Sequence, residues 1–352
     1  MTQDQPILVA LDDVAECEPT LRKAQTLARR LEAPLHLFRC VYSPALEAAT
    51  LAAAPAAPDL RRSLVEPEQR RLEALAERLA RRGQPATAEA GWGHPAYAAV
   101  VEAALRRRAR LVVAGTHSYG RASRVLLGHN DWQLTRLCPV PLLLVKSATA
   151  YRAPRILAAI DPGHAHDKPA QLDDEILILA RRWADALRGT VHAVHACLPP
   201  TPMRVGRFGG DIPQDVLDAH RYAARAAFDA LCDRAEVPPR CRHFVDGRAP
   251  DVLPALARRL RAQLAVLGCV SRGRLERALI GSTAERVVDR LDCDLLVVKP
   301  RAFRPPATEI GDASGLRRPA PEAARASPAQ AGAVSRGAGA GAVTRCASLP
   351  LR

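Results

Sequence analysis

Short apolar runs alternate along this chain with helical stripes of apolar residues. In Leu264 to Pro300 (LAVLGCVSRGRLERALIGSTAERVVDRLDCDLLVVKP), two runs lack polar alternation, Leu264 to Leu267 and Leu295 to Val298. That is the pattern of strands covered on both faces. Upstream, Arg155 to Ile160 predicts a strand ending at Asp161, and Asp173 to Leu187 an amphipathic helix closed by Gly189. Val191 to Cys197 predicts a strand, Asp215 to Ala235 a helix, Arg240 to Val245 a strand and Pro250 to Arg261 a helix. The order is βαβαβαβαβ. The first half repeats it, with strands near Ile7, Leu35, Thr87, Leu111 and Pro141. Alternating strands and helices with right-handed crossovers predict an α/β fold with doubly wound parallel sheets, Rossmann-like in class. Ligands of such sheets bind outside the carboxyl ends of the strands, where strand order reverses.

The repeat is also visible in identity. Ile7 to Asp12 (ILVALD) matches Ile156 to Asp161 (ILAAID) at an offset of 149. Gly115 matches Gly268, Gly128 matches Gly281 and Lys146 matches Lys299, all at an offset of 153. Two domains are therefore expected, residues 1–150 and 151–302, each long enough to bury a core. Residues 303–352 change composition to Ala, Pro, Gly, Ser and Arg with almost no large apolar side chain. Such a segment cannot offset its ordering entropy by burial, so a disordered tail is expected.

Charge narrows the function little. The 352-residue chain carries a formal net charge of +14, but the excess is +5 over residues 1–150, +5 over 151–302 and +4 beyond. The runs Arg106-Arg107-Arg108 and Arg258-Arg259 sit at equivalent helix ends, where cations complement the dipole. No basic stripe is interleaved with aromatics, so no dedicated nucleic-acid site is expected. The N-terminus reads as a first strand stopped by Asp12-Asp13, and no apolar run approaches the roughly 18 residues that span a bilayer. The nine cysteines have no zinc-like spacing and mostly sit among apolar residues. Reduced thiols, a cytoplasmic setting and no membrane partner are the expectation.

The chemistry concentrates after Gly268. A strand running into a Gly-opened loop, followed by Gly281-Ser282-Thr283 at a helix start, is the layout of a phosphate cradle. Small residues admit backbone N–H groups to an anion, and the helix dipole and hydroxyls add to them. Upstream, Gly128 is followed by His129-Asn130-Asp131-Trp132, which lacks the hydroxyls and adds a carboxylate, or a cap for a helix Trp132 to Leu137. No lysine follows the glycines as in a Walker loop, and no Ser-His-Asp or Cys-His arrangement is evident. Gly163-His164-Ala165-His166-Asp167 lacks a third fixed metal ligand. His192 and His195, three apart on one strand, point to opposite faces.

With these features the chain resembles the universal stress proteins, and within them the tandem two-domain E-type members, over about residues 5 to 300. The resemblance implies a sheet order of 3-2-1-4-5 and, in ATP-binding members, Gly-x-x-Gly-x9-Gly-Ser/Thr. Here Gly268 to Ser271 and Gly281-Ser282 keep the spacing, with Ser271 in place of the second glycine. By resemblance, Asp161 would contact the adenosine moiety and Ala196 would flank the adenine. Gly268, Val270 and Ser271 would surround ribose and phosphates, and Gly281, Ser282 and Thr283 would cradle phosphate. Arg272 and Arg274 could face phosphates or solvent. ATP or AMP is thus implied for the second domain alone, with a degenerate first domain. If the second glycine serves a left-handed turn, Ser271→Gly would strengthen binding. The implied role is a binding or signalling module in stress tolerance, including tolerance of DNA damage, and not an enzyme. The alternatives are a non-nucleotide binder and a slow nucleotide hydrolase. The fifth strands, Pro141 to Val145 and Asp294 to Val298, would pair the domains as an intramolecular pseudo-dimer. A homodimer is the other possibility.

Overall fold

The computed structural model describes residues 5–12, 18–51, 57–116, 129–163, 171–198, 212–269, 271–272, 279–280 and 282–305. In the first half, β1 (Ile7–Ala10), α1 (Glu18–Arg30) and β2 (Leu35–Val41) lead into two helices, α2 (Pro44–Leu51) and α3 (Ala57–Arg81). There follow β3 (Ala86–Trp92), α4 (Ala96–Arg106), β4 (Leu111–Gly115), α5 (His129–Leu137) and β5 (Leu142–Val145). The second half has β6 (Arg155–Ala159), α6 (Leu172–Leu187), β7 (Thr190–Cys197), α7 (Gln214–Arg234) and β8 (Arg242–Asp246). It continues with α8 (Ala249–Leu260), β9 (Leu264–Gly268), the two-residue strands β10 (Ser271–Arg272) and β11 (Leu279–Ile280), α9 (Ser282–Arg290) and β12 (Asp294–Val298).

Ten strands form a single sheet in the order β3-β2-β1-β4-β5-β12-β9-β6-β7-β8. Each half alone reads 3-2-1-4-5. Neighbours within a half are parallel. The one antiparallel pairing among the described strands of this sheet is β5 with β12, which sets Leu143 opposite Leu296. Reversal there sends the carboxyl ends of the two halves to opposite edges of the sheet. The buried strands are nearly all apolar because helices cover both faces. One apolar layer runs from Ile7, Val9 and Leu27 through Leu143 to Ile156, Trp183 and Phe228. The other runs from Leu8 and Val101 through Leu144 to Leu157, Val194 and Leu295. Each face is thus one core shared by both halves.

A buried polar cluster crosses the same junction. Asp294, at the start of β12, is fully buried. It is ion-paired with Lys23 of α1 and accepts a hydrogen bond from the Tyr151 hydroxyl at 2.5 Å. The backbone N–H groups of Lys146 and Ser147 donate to its other oxygen at 2.9 and 3.0 Å. The Lys146 ammonium donates to the carbonyls of Val288 (2.6 Å) and Leu291 (2.9 Å), at the end of α9, where a cation meets the negative end of the dipole. Burial alone would lower the pKa of both lysines, and it does so here despite the nearby acids.

Three local details differ from the sequence reading. The first half carries an extra helix, α2, between β2 and α3. Helix α5 begins at His129, so Asp131 lies buried inside the first turn and is not the cap. Helix α6 ends with Arg188 in the left-handed conformation (φ 55°), not at a glycine. Gly189 is needed for a different reason, since a Cβ there would lie 2.3 Å from the Pro154 carbonyl oxygen.

Candidate functional site

In the second half, β6 lies between β7 and β9, so chain order reverses at β6/β9. The register pairs Ala159 with Leu267. Asp161 and Gly268 therefore leave neighbouring strands at the same edge, and Ala196, paired with Val245, comes off β7 beside them. The backbone N–H of Asp161 donates to the Asp173 carboxylate in the first turn of α6 (3.1 Å). This bond ties the loop after β6 to the next helix and leaves the Asp161 side chain half-exposed.

The loop after Gly268 returns through a short antiparallel ladder, Ser271 with Ile280 and Arg272 with Leu279, before α9 opens at Ser282. Strand pairing is extended backbone, so Ser271 does not stand where a left-handed glycine is required. That removes the strain argument for Ser271→Gly. Gly268 itself is constrained from below: a Cβ would come within 2.8 Å of Leu172 and 3.0 Å of Ile176 in α6. Its lack of a side chain thus serves helix–strand packing, whatever lies above it. Ser282 and Thr283 occupy the first turn of α9, whose N–H groups have no partner within the helix. Val270, Arg274 and Gly281 lie outside the described residues, as does His164-Ala165-His166-Asp167.

A further residue at this edge is His195. It is buried, and its Nδ1 lies 3.1 Å from the carbonyl oxygen of Ile160 and 3.7 Å from Asp161 Oδ1. Phe228 and Phe244 flank its ring. Beyond it, Arg221 and Asp246 form an ion pair at 2.8 Å. In the sequence His195 stands out only as pointing away from His192; the register of β6 and β7 is what sets it beside Asp161.

The family model described as "Universal stress protein family" matches residues 5–146 and again 154–299. The chain belongs to the universal stress protein family. Two copies of the family's domain therefore sit in tandem, and the protein is one of the stress-response proteins. The Universal stress protein E of Salmonella typhi is 27% identical over 314 residues, covering 89% of this chain and 99% of that protein. The Universal stress protein E of Escherichia coli K12 is likewise 27% identical, with the same coverage. Among solved structures, a functionally unknown protein from Pseudomonas aeruginosa PAO1 superposes with a TM-score of 0.67 at 24% identity, over 85% of this chain and 93% of that one. A universal stress protein from Archaeoglobus fulgidus has a TM-score of 0.55 at 15% identity, over 84% of this chain and 98% of that one. These two likenesses show the fold.

Within this family member the two carboxyl edges are built differently. By register, Val41 opposite Trp92 corresponds to Cys197 opposite Asp246. In the first half Trp92 is buried in a small cluster with Leu46 of α2, Tyr42 and Val65. Arg61 lies over its ring at 5.2 Å and also pairs with Glu47 of α2 at 3.3 Å. The extra helix is thereby pinned to this edge, where the second half presents an Arg–Asp pair. Thr116, which follows Gly115, is buried and donates both its N–H and its hydroxyl to the Val145 carbonyl (3.1 and 3.2 Å). The thiols are free among the described residues. Burial pushes Cys40 up to about 11, with Asp12 adding to it, and pushes Cys138 and Cys293 up to about 12, so these stay as unreactive thiols. Among the described residues no group of three or more His, Cys, Asp or Glu could hold a metal, and no helix is long and apolar enough to cross a membrane.

Proposed function

We propose that this protein is a cytoplasmic ligand-binding and signalling module of the stress response, with ATP or AMP held at the second-half edge. The observation that carries this reading is the register that brings Asp161 and Gly268 off adjacent strands at the point where chain order reverses. Asp161 would take the adenosine moiety, Ala196 would flank the base, and Gly268, Val270 and Ser271 would surround ribose and phosphate. Gly281, Ser282 and Thr283 would complete the cradle. The module works by binding: no base or metal-binding carboxylate is assigned to the phosphate end, which phosphoryl transfer would need. The two halves act as an intramolecular pair through β5 and β12, so a second copy is not required and the expected solution mass is that of one chain.

One observation favours a second reading, a crevice that takes another small ligand or none. Gly268 is accounted for by its contact with α6 and needs no ligand to explain it. Calorimetry on the full chain separates the readings. ATP or AMP should bind the parent at one site. Asp161→Ala should weaken it by about tenfold or more, the scale of a lost hydrogen bond to a charged group. Asp12→Ala, at the matching place in the first half, should leave it unchanged. Absence of heat with either nucleotide, together with a different molecule released from fresh protein in mass spectrometry, would establish the second reading.

A further inference from the structure

The register makes a second comparison between the halves, at the amino ends of the strands. His36 pairs with Leu8, and His192 pairs with the matching Leu157. Glu89 opposite Phe38 corresponds to His243 opposite Val194. The same histidine thus meets a carboxylate in one half and a second histidine in the other. In the first half His36 Nε2 lies 3.4 Å from Glu89, and its Nδ1 lies 2.8 Å from Thr87 Oγ1. Glu89 is also paired with Arg106, and with Arg107 at 2.7 Å. The carboxylate there is the centre of a compensated cluster, held down at about 2 by His36 first and by the two arginines.

In the second half the carboxylate is gone, Arg259 keeps the place of Arg106, Leu260 takes that of Arg107, and Arg155 is a new cation. His192 Nδ1 lies 3.1 Å from His243 Nε2, with the rings stacked 5.4 Å apart at 26°. Arg155 starts β6 on the face that carries Leu157 and His192, and donates to the Leu260 carbonyl at the end of α8 (2.8 Å). The first half has Pro6 at the place of Arg155. Arg259 of α8 stands where Arg106 stands in α4. Its neighbour Arg258 pairs with Asp292 at 3.6 Å. The charged groups that act on the histidine pair are Arg155 from β6 and Arg259 from α8, both cations.

We propose that the His192–His243 pair is an acid-responsive element built into the second half alone. While both rings are neutral, one donates to the other and the stack packs against the sheet. A first proton leaves one ring still donating to the other but adds a charge beside two arginines, and a second leaves two donors face to face and breaks the pair. Burial holds both imidazoles below their ordinary value, with Arg155 acting on His192, and with His192 and Arg259 acting on His243. The unfolded chain binds these protons first. The pair's contribution to stability is then present above about pH 6.5 and is lost as pH falls below it. Strands β6 and β7, which carry this end, are the ones that finish at Asp161 and Ala196. Mild acid would thus loosen the strands framing the second-half edge while the Glu89 cluster still holds the first half.

The molecule supplies its own control. His243→Glu rebuilds the first-half arrangement and gives His192 a counter-ion. Melting of the full chain is compared at pH 7.5 and 5.5 for parent and variant, and the ring protons of His192 and His243 are titrated by NMR in the parent. The expected result is titration of both rings below about 6.5 and a drop in melting temperature with acid that is larger in the parent by roughly 2–4 °C or more. Rings that titrate at or above 6.5 would overturn the proposal. So would a folded His243→Glu protein with the parent's pH dependence. If the variant does not fold, the ring titration in the parent decides alone.

Discussion

At the scale of single residues, the junction between the halves rests on one carboxylate. Asp294 is buried with four hydrogen-bonding partners, one of them the equally buried Lys23. Taking two charges out of water costs several kcal/mol, and only mutual pairing offsets it. Asp294→Ala should therefore lower stability by roughly 3–5 kcal/mol, because Lys23 is left buried without its counter-ion. Asp294→Leu combined with Lys23→Met should recover much of that loss. Urea unfolding measures both, and equal midpoints for parent and Asp294→Ala would refute the assignment. Glu89 gives a pH prediction with the same sense as that of the histidine pair, in a lower window. Its folded pKa, about 2, lies below the unfolded value of about 4.3. It adds stability above pH 4.3, and that contribution fades as pH falls toward 2. Acid unfolding of Glu89→Gln should show a shallower fall over that window than the parent. At Ser271, the ladder to Ile280 leaves no left-handed strain to relieve. Ser271→Gly should then bring no gain in nucleotide affinity on titration, and a tenfold gain would restore the strain argument.

At the scale of elements, the strands were the most legible part of the chain. Runs such as Leu264–Leu267 and Val191–Cys197 have no polar alternation, and that pattern has few outcomes besides a covered parallel strand. Helix ends were less so, because a glycine has more than one use. Gly189 reads as a helix stop, yet the left-handed residue is Arg188, and Gly189 exists to let Pro154 approach. Gly189→Ala should cost on the order of 1–3 kcal/mol, since backbone atoms cannot move aside as a side chain would. Thermal melting of the variant at the parent's temperature would show that the corner yields. Of the candidate site, Asp161 and Gly268 could be placed from strand ends alone. The neighbour His195 could not, because its closeness to Asp161 depends on the lateral register of β6 and β7, which no local pattern encodes. The pinning of α2 by Trp92 and Arg61 was hidden for the same reason, since residues 31 positions apart in the chain meet there. The antiparallel seam had a weaker signal: a last apolar strand at a sheet edge needs a partner, but its sequence does not name one.

At the scale of the whole molecule, the repeat in sequence and the unit of folding are different things. Each half has its own 3-2-1-4-5 order, but neither has its own core: both apolar layers run across the β5–β12 seam. Leu143 and Leu296 are fully buried opposite each other at its centre. A half released from the other would expose an unpaired strand edge and the side chains on both its faces. It would also strand Lys146 from the α9 carbonyls and Lys23 from Asp294. The halves should therefore unfold together at neutral pH. The three tryptophans allow this to be seen, since Trp92 and Trp132 report on the first half and Trp183 on the second. Replacing Trp183 with Phe, or Trp92 and Trp132 with Phe, leaves one half visible at a time. Each half-reporter should give a urea transition that coincides, within its own protein, with the transition followed by far-ultraviolet circular dichroism. Placing Leu143→Asp in either background puts a charge into the middle of the sheet, where no partner can solvate it, and should cost about 3 kcal/mol or more in both halves at once. Separate transitions for the two reporters at neutral pH, or a Leu143→Asp protein that loses only the first half, would mean that the seam joins two independent folding units.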